Sequence, residues 1–79
     1  MNEPKRAKFE WGQKVMSAIE IFNDGSHPEA AVDSLLVPRA TPGEIVNVGA
    51  IESTGDPVYI IEFANKQLVG VYEDEIVRA

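Results

Sequence analysis

With 79 residues the chain has room for one hydrophobic core, and its lack of cysteine excludes a disulfide framework and a thiolate metal site, as suits a reducing, cytoplasmic setting. A formal charge of −6 argues against nucleic acid and membrane partners, because binders of polyanions draw their affinity from lysine and arginine neutralising phosphates. Three of the 7 bases, Lys5, Arg6 and Lys8, but only one of the 13 acids precede Phe9, so the body of the chain is more acidic still and would attract a basic partner.

Met1 to Lys8 is polar, charged and interrupted by Pro4, and is expected to be a disordered lead-in (1–8) to a folded domain spanning 9–79. It has no apolar stretch of a secretion signal, and no later run approaches the roughly 20 residues of a membrane span. From Gln13 to Phe22, Val15, Met16, Ile19, Ile21 and Phe22 interspersed with polar residues predict a half-buried strand, with helix as the alternative. Gly12 before it and Asn23-Asp24-Gly25 after it are turn signals.

Ser26 to Pro42 reads as a long loop in which Pro28-Glu29-Ala30-Ala31 could open a helical turn. Leu35-Leu36-Val37, stopped by Pro38, is expected to reach the core as a short extended piece. Three β-rich runs follow, Glu44 to Ile51, Pro57 to Ala64 and Gln67 to Tyr72. Tyr59, Ile61 and Phe63 share one face, assigned to the core, and Glu62 marks the other as partly wet. Asn65-Lys66 has the length of a hairpin connection, with asparagine expected to take the left-handed conformation. Glu73-Asp74-Glu75 forms a polar single turn ahead of a last short strand at Ile76-Val77. The sum is a mostly β chain. It is expected to be a small SH3-like antiparallel barrel of about five strands, closed or nearly closed, with a long loop between the first and second major strands.

Nothing in this pattern assembles a catalytic centre, a cofactor site or a metal site. His27 is a lone imidazole beside Pro28, and Ser26 next to it has a side chain that normally diverges from its neighbour. Asn23-Asp24-Gly25 lacks the regular oxygen ligands of a calcium loop, and the glycines at 43, 49, 55 and 70 match no phosphate-cradling motif. Glu73, Asp74 and Glu75 splay apart on a turn or alternate on a strand, so they read as a solvated acidic turn or a docking patch for a basic partner. Trp11, near Phe9 at a strand entrance, is a core lid if buried and a partner anchor if exposed.

Taken together, Phe9-Glu10-Trp11-Gly12-Gln13-Lys14-Val15, Asn23-Asp24-Gly25 with Pro28, and Leu35-Leu36-Val37 with Arg39 and Gly43 resemble successive blocks of the NifZ family of nitrogen-fixation accessory proteins. Ile45, Val48 and Gly49, then Val58-Tyr59, Ile61 and Phe63, then Val69-Gly70, Glu73 and Glu75-Ile76 are similar to its remaining blocks, in the same order. The sequence departs from the family pattern at Met16 to Ile21, which lacks the usual arginines, and at Val71, where members often carry cysteine. The resemblance implies a chaperone-like accessory factor. Such a factor assists maturation of the nitrogenase molybdenum-iron protein while its P-clusters are completed, and binds that protein or its assembly factors. On that reading the expected contact residues are Asn23, Asp24, Gly25, Arg39, Glu73, Asp74 and Glu75, at turns and strand ends, with Trp11 as a further anchor. The alternatives are a small regulatory or structural subunit of a redox enzyme and, against the charge, a nucleic-acid-binding barrel.

Overall fold

A computed structural model describes residues 7–25, 28 and 30–79. Those residues are mostly β, in antiparallel sheets, with seven strands and no α-helix among them. In chain order the strands are β1 (Lys14–Ser17), β2 (Ile21–Phe22), β3 (Leu35–Val37), β4 (Pro42–Ala50), β5 (Pro57–Phe63), β6 (Leu68–Tyr72) and β7 (Ile76–Arg78). A 3-10 turn, Glu73–Glu75, joins the last two.

Five strands form one sheet in the order β6-β5-β4-β1-β7, and β2 pairs with β3 as a separate two-stranded sheet. The expected closure into a barrel does not occur. Strand β7 pairs with β1, and the Tyr72 amide at the end of β6 is taken by the Glu75 carboxylate at 2.7 Å, so no ladder joins β6 to β7. The sheet instead bends around its core. In β4 the register slips between Ile45 and Asn47, a bulge at Val46. Such an extra residue bends a strand, and here the first part of β4 serves β1 while the whole strand pairs with β5.

The run from Gln13 to Phe22 is not one strand. Val15 and Ser17 point inward on β1, but Ile19, which strict alternation would also bury, is exposed. The Ser17 hydroxyl donates to Pro38 O at 2.7 Å and the Ala18 amide donates to Glu75 O at 2.9 Å, so the chain leaves the large sheet there. Ile21 then pairs with Val37. Leu36 and Val37 are buried, as their apolar run predicts.

The core is built from the inward sides of these strands: Val15, Ile21, Leu36, Val37, Ile45, Tyr59, Ile61, Phe63, Val69, Val71 and Ile76, with Phe9 folded over it. Tyr59, Ile61 and Phe63 share that face while Glu62 is exposed, in keeping with the period-two pattern of β5. Of Pro28 to Ala31, the described residues lie in a turn, a bend or irregular backbone. Residues 1–6 of the expected lead-in, Ser26, His27 and Glu29 lie outside the described residues.

Two backbone positions carry opposite steric constraints. At Gly43 a Cβ would sit 2.7 Å from Ile61 Cγ2 and 3.0 Å from Glu62 O, because β4 crosses β5 closely there. In the β5–β6 hairpin the left-handed residue is Lys66, with φ of 68°, rather than Asn65. The reason is the hydrogen-bond pattern. Lys66 N–H donates to Phe63 O at 2.8 Å and Phe63 N–H to Gln67 O at 2.9 Å, which makes a three-residue loop whose last position must be left-handed. Gly43→Ala should therefore lower stability by about 1–3 kcal/mol through overpacking, whereas Lys66→Gly should raise it by roughly 1 kcal/mol by removing the Cβ penalty of the left-handed conformation. Chemical denaturation of the two variants against the parent tests both signs.

Candidate functional site

A tyrosine on the core face of a strand brings a hydroxyl into apolar surroundings, where it must find partners. Strand β5 carries Tyr59 inward with no exposed surface, beneath the segment at Lys8 and Phe9 and beside the 3-10 turn. Its hydroxyl donates to Glu73 Oε2 at 2.6 Å and accepts the amides of Lys8 at 3.0 Å and Phe9 at 3.1 Å. One donor and both acceptor positions are thereby used. The Lys8 amide also donates to Glu73 Oε2 at 2.6 Å. The Phe9 ring meets the Tyr59 ring edge to face, with centroids 5.6 Å apart and planes at 77°, and Lys8 Nζ lies 5.6 Å from the Phe9 centroid.

The acidic turn is therefore only partly a surface feature. Glu73 is half-buried and ties Tyr59 to the turn; Glu75 is half-buried and caps the Tyr72 amide. Asp74, between them, is exposed. With Asp56, Pro57, Tyr72 and Glu73 it lines a notch of about 340 Å³.

Asn23 is likewise an internal part, only 1% exposed. Its Nδ2 donates to Ala30 O at 2.8 Å and Ala31 O at 3.1 Å, and its Oδ1 accepts the Gly25 amide at 3.0 Å. Its backbone also bonds Ser34 and Asp33. It can act on a partner only through the shape it imposes on the loop, in which Asp24 and Gly25 are exposed and Gly25 takes a φ of 101°. Arg39 is exposed in the turn before β4, held by Ser17, whose oxygen atoms accept the amides of Thr41 at 2.9 Å and Ala40 at 2.8 Å. It lines a shallow depression with Ala18, Ile19 and Glu20. Trp11 is 70% exposed, and the lid over the core is Phe9.

The structure thus divides the sequence-derived candidates. Trp11, Asp24, Gly25, Arg39 and Asp74 present surface; Asn23, Glu73 and Glu75 hold the fold. It also adds residues that sequence reasoning passed over. The alternation of β5 predicts Tyr59 in the core but names no partner for it, although a hydroxyl among Ile61 and Phe63 requires one. Val58 and Ile60 continue the apolar run of β5 onto its outer side, a sign of a sheet covered on both faces. Among the described residues no three His, Cys, Asp or Glu side chains converge as metal ligands, and no helix is long and apolar enough to cross a membrane.

Burial first, and the Glu73 carboxylate second, push the Tyr59 phenol above its ordinary value of 10.0. The native state therefore holds this proton more tightly than the unfolded chain. The contribution to stability is complete below about pH 10 and declines as pH rises toward the folded value. Tyr59→Phe should cost about 1–3 kcal/mol at neutral pH by stranding the Phe9 amide and the Glu73 carboxylate. It should also remove part of the stability loss above about pH 10, and denaturation midpoints across pH for parent and variant check both.

A family model described as the NifZ domain matches residues 6–78. "Protein NifZ" of Frankia alni is 36% identical over 70 residues, covering 86% of the chain and 36% of that relative. The chain thus spans little more than a third of the length of the curated relative it matches. No solved structure matches it.

Proposed function

The chain belongs to the NifZ family, and from that premise we propose that it serves nitrogen fixation as a non-catalytic accessory factor that binds other proteins. The observation that carries this reading is the family match, which extends over nearly the whole chain. The client proposed is the nitrogenase molybdenum-iron protein, or one of its assembly factors, at the stage when the P-clusters are completed. A cytoplasmic location follows from that client.

The surface chemistry supports binding more than reaction. The exposed polar candidates stand at separate turns rather than converging, and the body of the chain is acidic, which favours a basic docking face on the partner. An SH3-like classification, in the open form, is supported by the strand order β6-β5-β4-β1-β7 and by the 3-10 turn ahead of the last strand.

Glu73 and Glu75 are poor probes of docking, because replacing either removes a hydrogen bond of the fold. Asp74 is the clean probe. The tagged chain recovered from nitrogen-fixing cells at low salt should bring the molybdenum-iron protein or an assembly factor with it. Asp74→Asn should weaken that association about two- to fivefold and flatten its salt dependence. Recovery without any nitrogenase component would overturn the reading.

A further inference from the structure

An antiparallel sheet with one wet face ordinarily alternates apolar and polar residues, and β5 does not. Outward from Tyr59 and Ile61 stand Val58 and Ile60, both half-buried. The register sets Val58 opposite Tyr72, Ile60 opposite Gly70 and Glu62 opposite Leu68. Leu68 is 57% exposed and Tyr72 50%, so the outer side of this strand pair is an apolar field on which Val58, Ile60, Leu68 and Tyr72 lie as cross-strand or diagonal neighbours. A Cβ at Gly70 would meet Ile60 Cδ1 at 3.4 Å, so the glycine gives Ile60 room and leaves the β6 backbone bare.

Strand β6 is also an edge. Because Phe63 N–H bonds Gln67 O, positions 67, 69 and 71 turn their backbone groups to β5, while those of Leu68, Gly70 and Tyr72 face outward. The Tyr72 amide is taken by Glu75. The outward groups of Leu68 and Gly70 have no backbone partner among the described residues. Lysine, proline and bulges, the usual protections of an edge, are absent from Leu68–Tyr72.

Charge selects the occupant. Glu62 borders the field at one end and Asp74, with the notch beside Tyr72, at the other. A second copy would set these acids against their like in a chain of net charge −6. We propose that the β6 edge and the outer face of β5–β6 receive an extended segment of a partner protein that carries apolar residues at alternate positions, on its outward face, and a lysine or arginine on that face at the end nearest Tyr72. The segment pairs with Leu68 and Gly70, lays its apolar side chains over Ile60, and sets a lysine or arginine against Tyr72 and Asp74. This deepens the protein-binding reading above and rests on it.

The test is titration of the isotope-labelled chain with a short synthetic peptide that alternates valine and threonine and carries two lysines at each end, followed by amide NMR and hydrogen exchange. The expected result is that Leu68 and Gly70 shift most and their exchange slows by about tenfold or more at saturation. The same peptide with glutamate for lysine should bind at least about tenfold more weakly. Leu68→Pro, which removes an outward N–H at the first residue of an edge strand where proline is tolerated, and Tyr72→Lys, at an exposed position, should each abolish the shifts while leaving the circular dichroism spectrum unchanged. Shifts centred on Phe22 and Leu35, equal binding of the glutamate peptide, no shift at all, or dimerisation through β6 without peptide would overturn the proposal. Capture of nitrogenase components undiminished by Tyr72→Lys would sink this surface and leave the accessory role standing. Peptide binding at β6 by a chain that captures no nitrogenase component would do the reverse.

Discussion

A phenol sunk into an apolar core must satisfy its hydroxyl, and Tyr59 does so with three partners from two distant parts of the chain: the amides of Lys8 and Phe9 and the carboxylate of Glu73. An unmet donor or acceptor at such a site costs on the order of 1–3 kcal/mol, a large share of the stability of so small a domain. The requirement places the rest. Phe9 becomes the lid, the 3-10 turn is drawn against the end of β5, and β7 leaves that turn in position to pair with β1.

The acidic turn is divided between the fold and the surface. Of three successive carboxylates, Glu73 and Glu75 are turned to structural work, one on a side chain and one on a backbone amide, and Asp74 keeps its solvent exposure. Net negative charge is thus retained at the surface without three like charges competing for one site. Asn23 is a parallel case in the other loop, where a polar side chain satisfies backbone groups so that neighbouring Asp24 and Gly25 can be presented.

The proposed docking has to use surface that the fold does not consume. The open sheet supplies two kinds: exposed side chains at the turns, Trp11, Asp24, Arg39 and Asp74, and a strand edge with an apolar outer face. A closed barrel would have removed the second by pairing β6. Family membership sets the biological context, and the unclosed edge sets the physical means by which another chain could be held.

Local rules made much of this legible from residues alone. Side-chain alternation in Val58-Tyr59-Ile60-Ile61-Glu62-Phe63 sets the inward face, Pro38 ends the Leu35-Leu36-Val37 run, and the glycine and asparagine turns separate the later strands, because each depends on neighbours within a few residues. The family resemblance was legible for the same reason, as ordered blocks along the chain. What only the tertiary structure decided are relations between residues far apart in sequence. These are the break after Ser17, whose hydroxyl bonds Pro38 O, the sheet left open between β6 and β7, and the division of candidates into surface and scaffold. Glu73, Asp74 and Glu75 are chemically alike in sequence; they separate in role only because Tyr59, 14 residues before Glu73, comes to lie beneath the first of them.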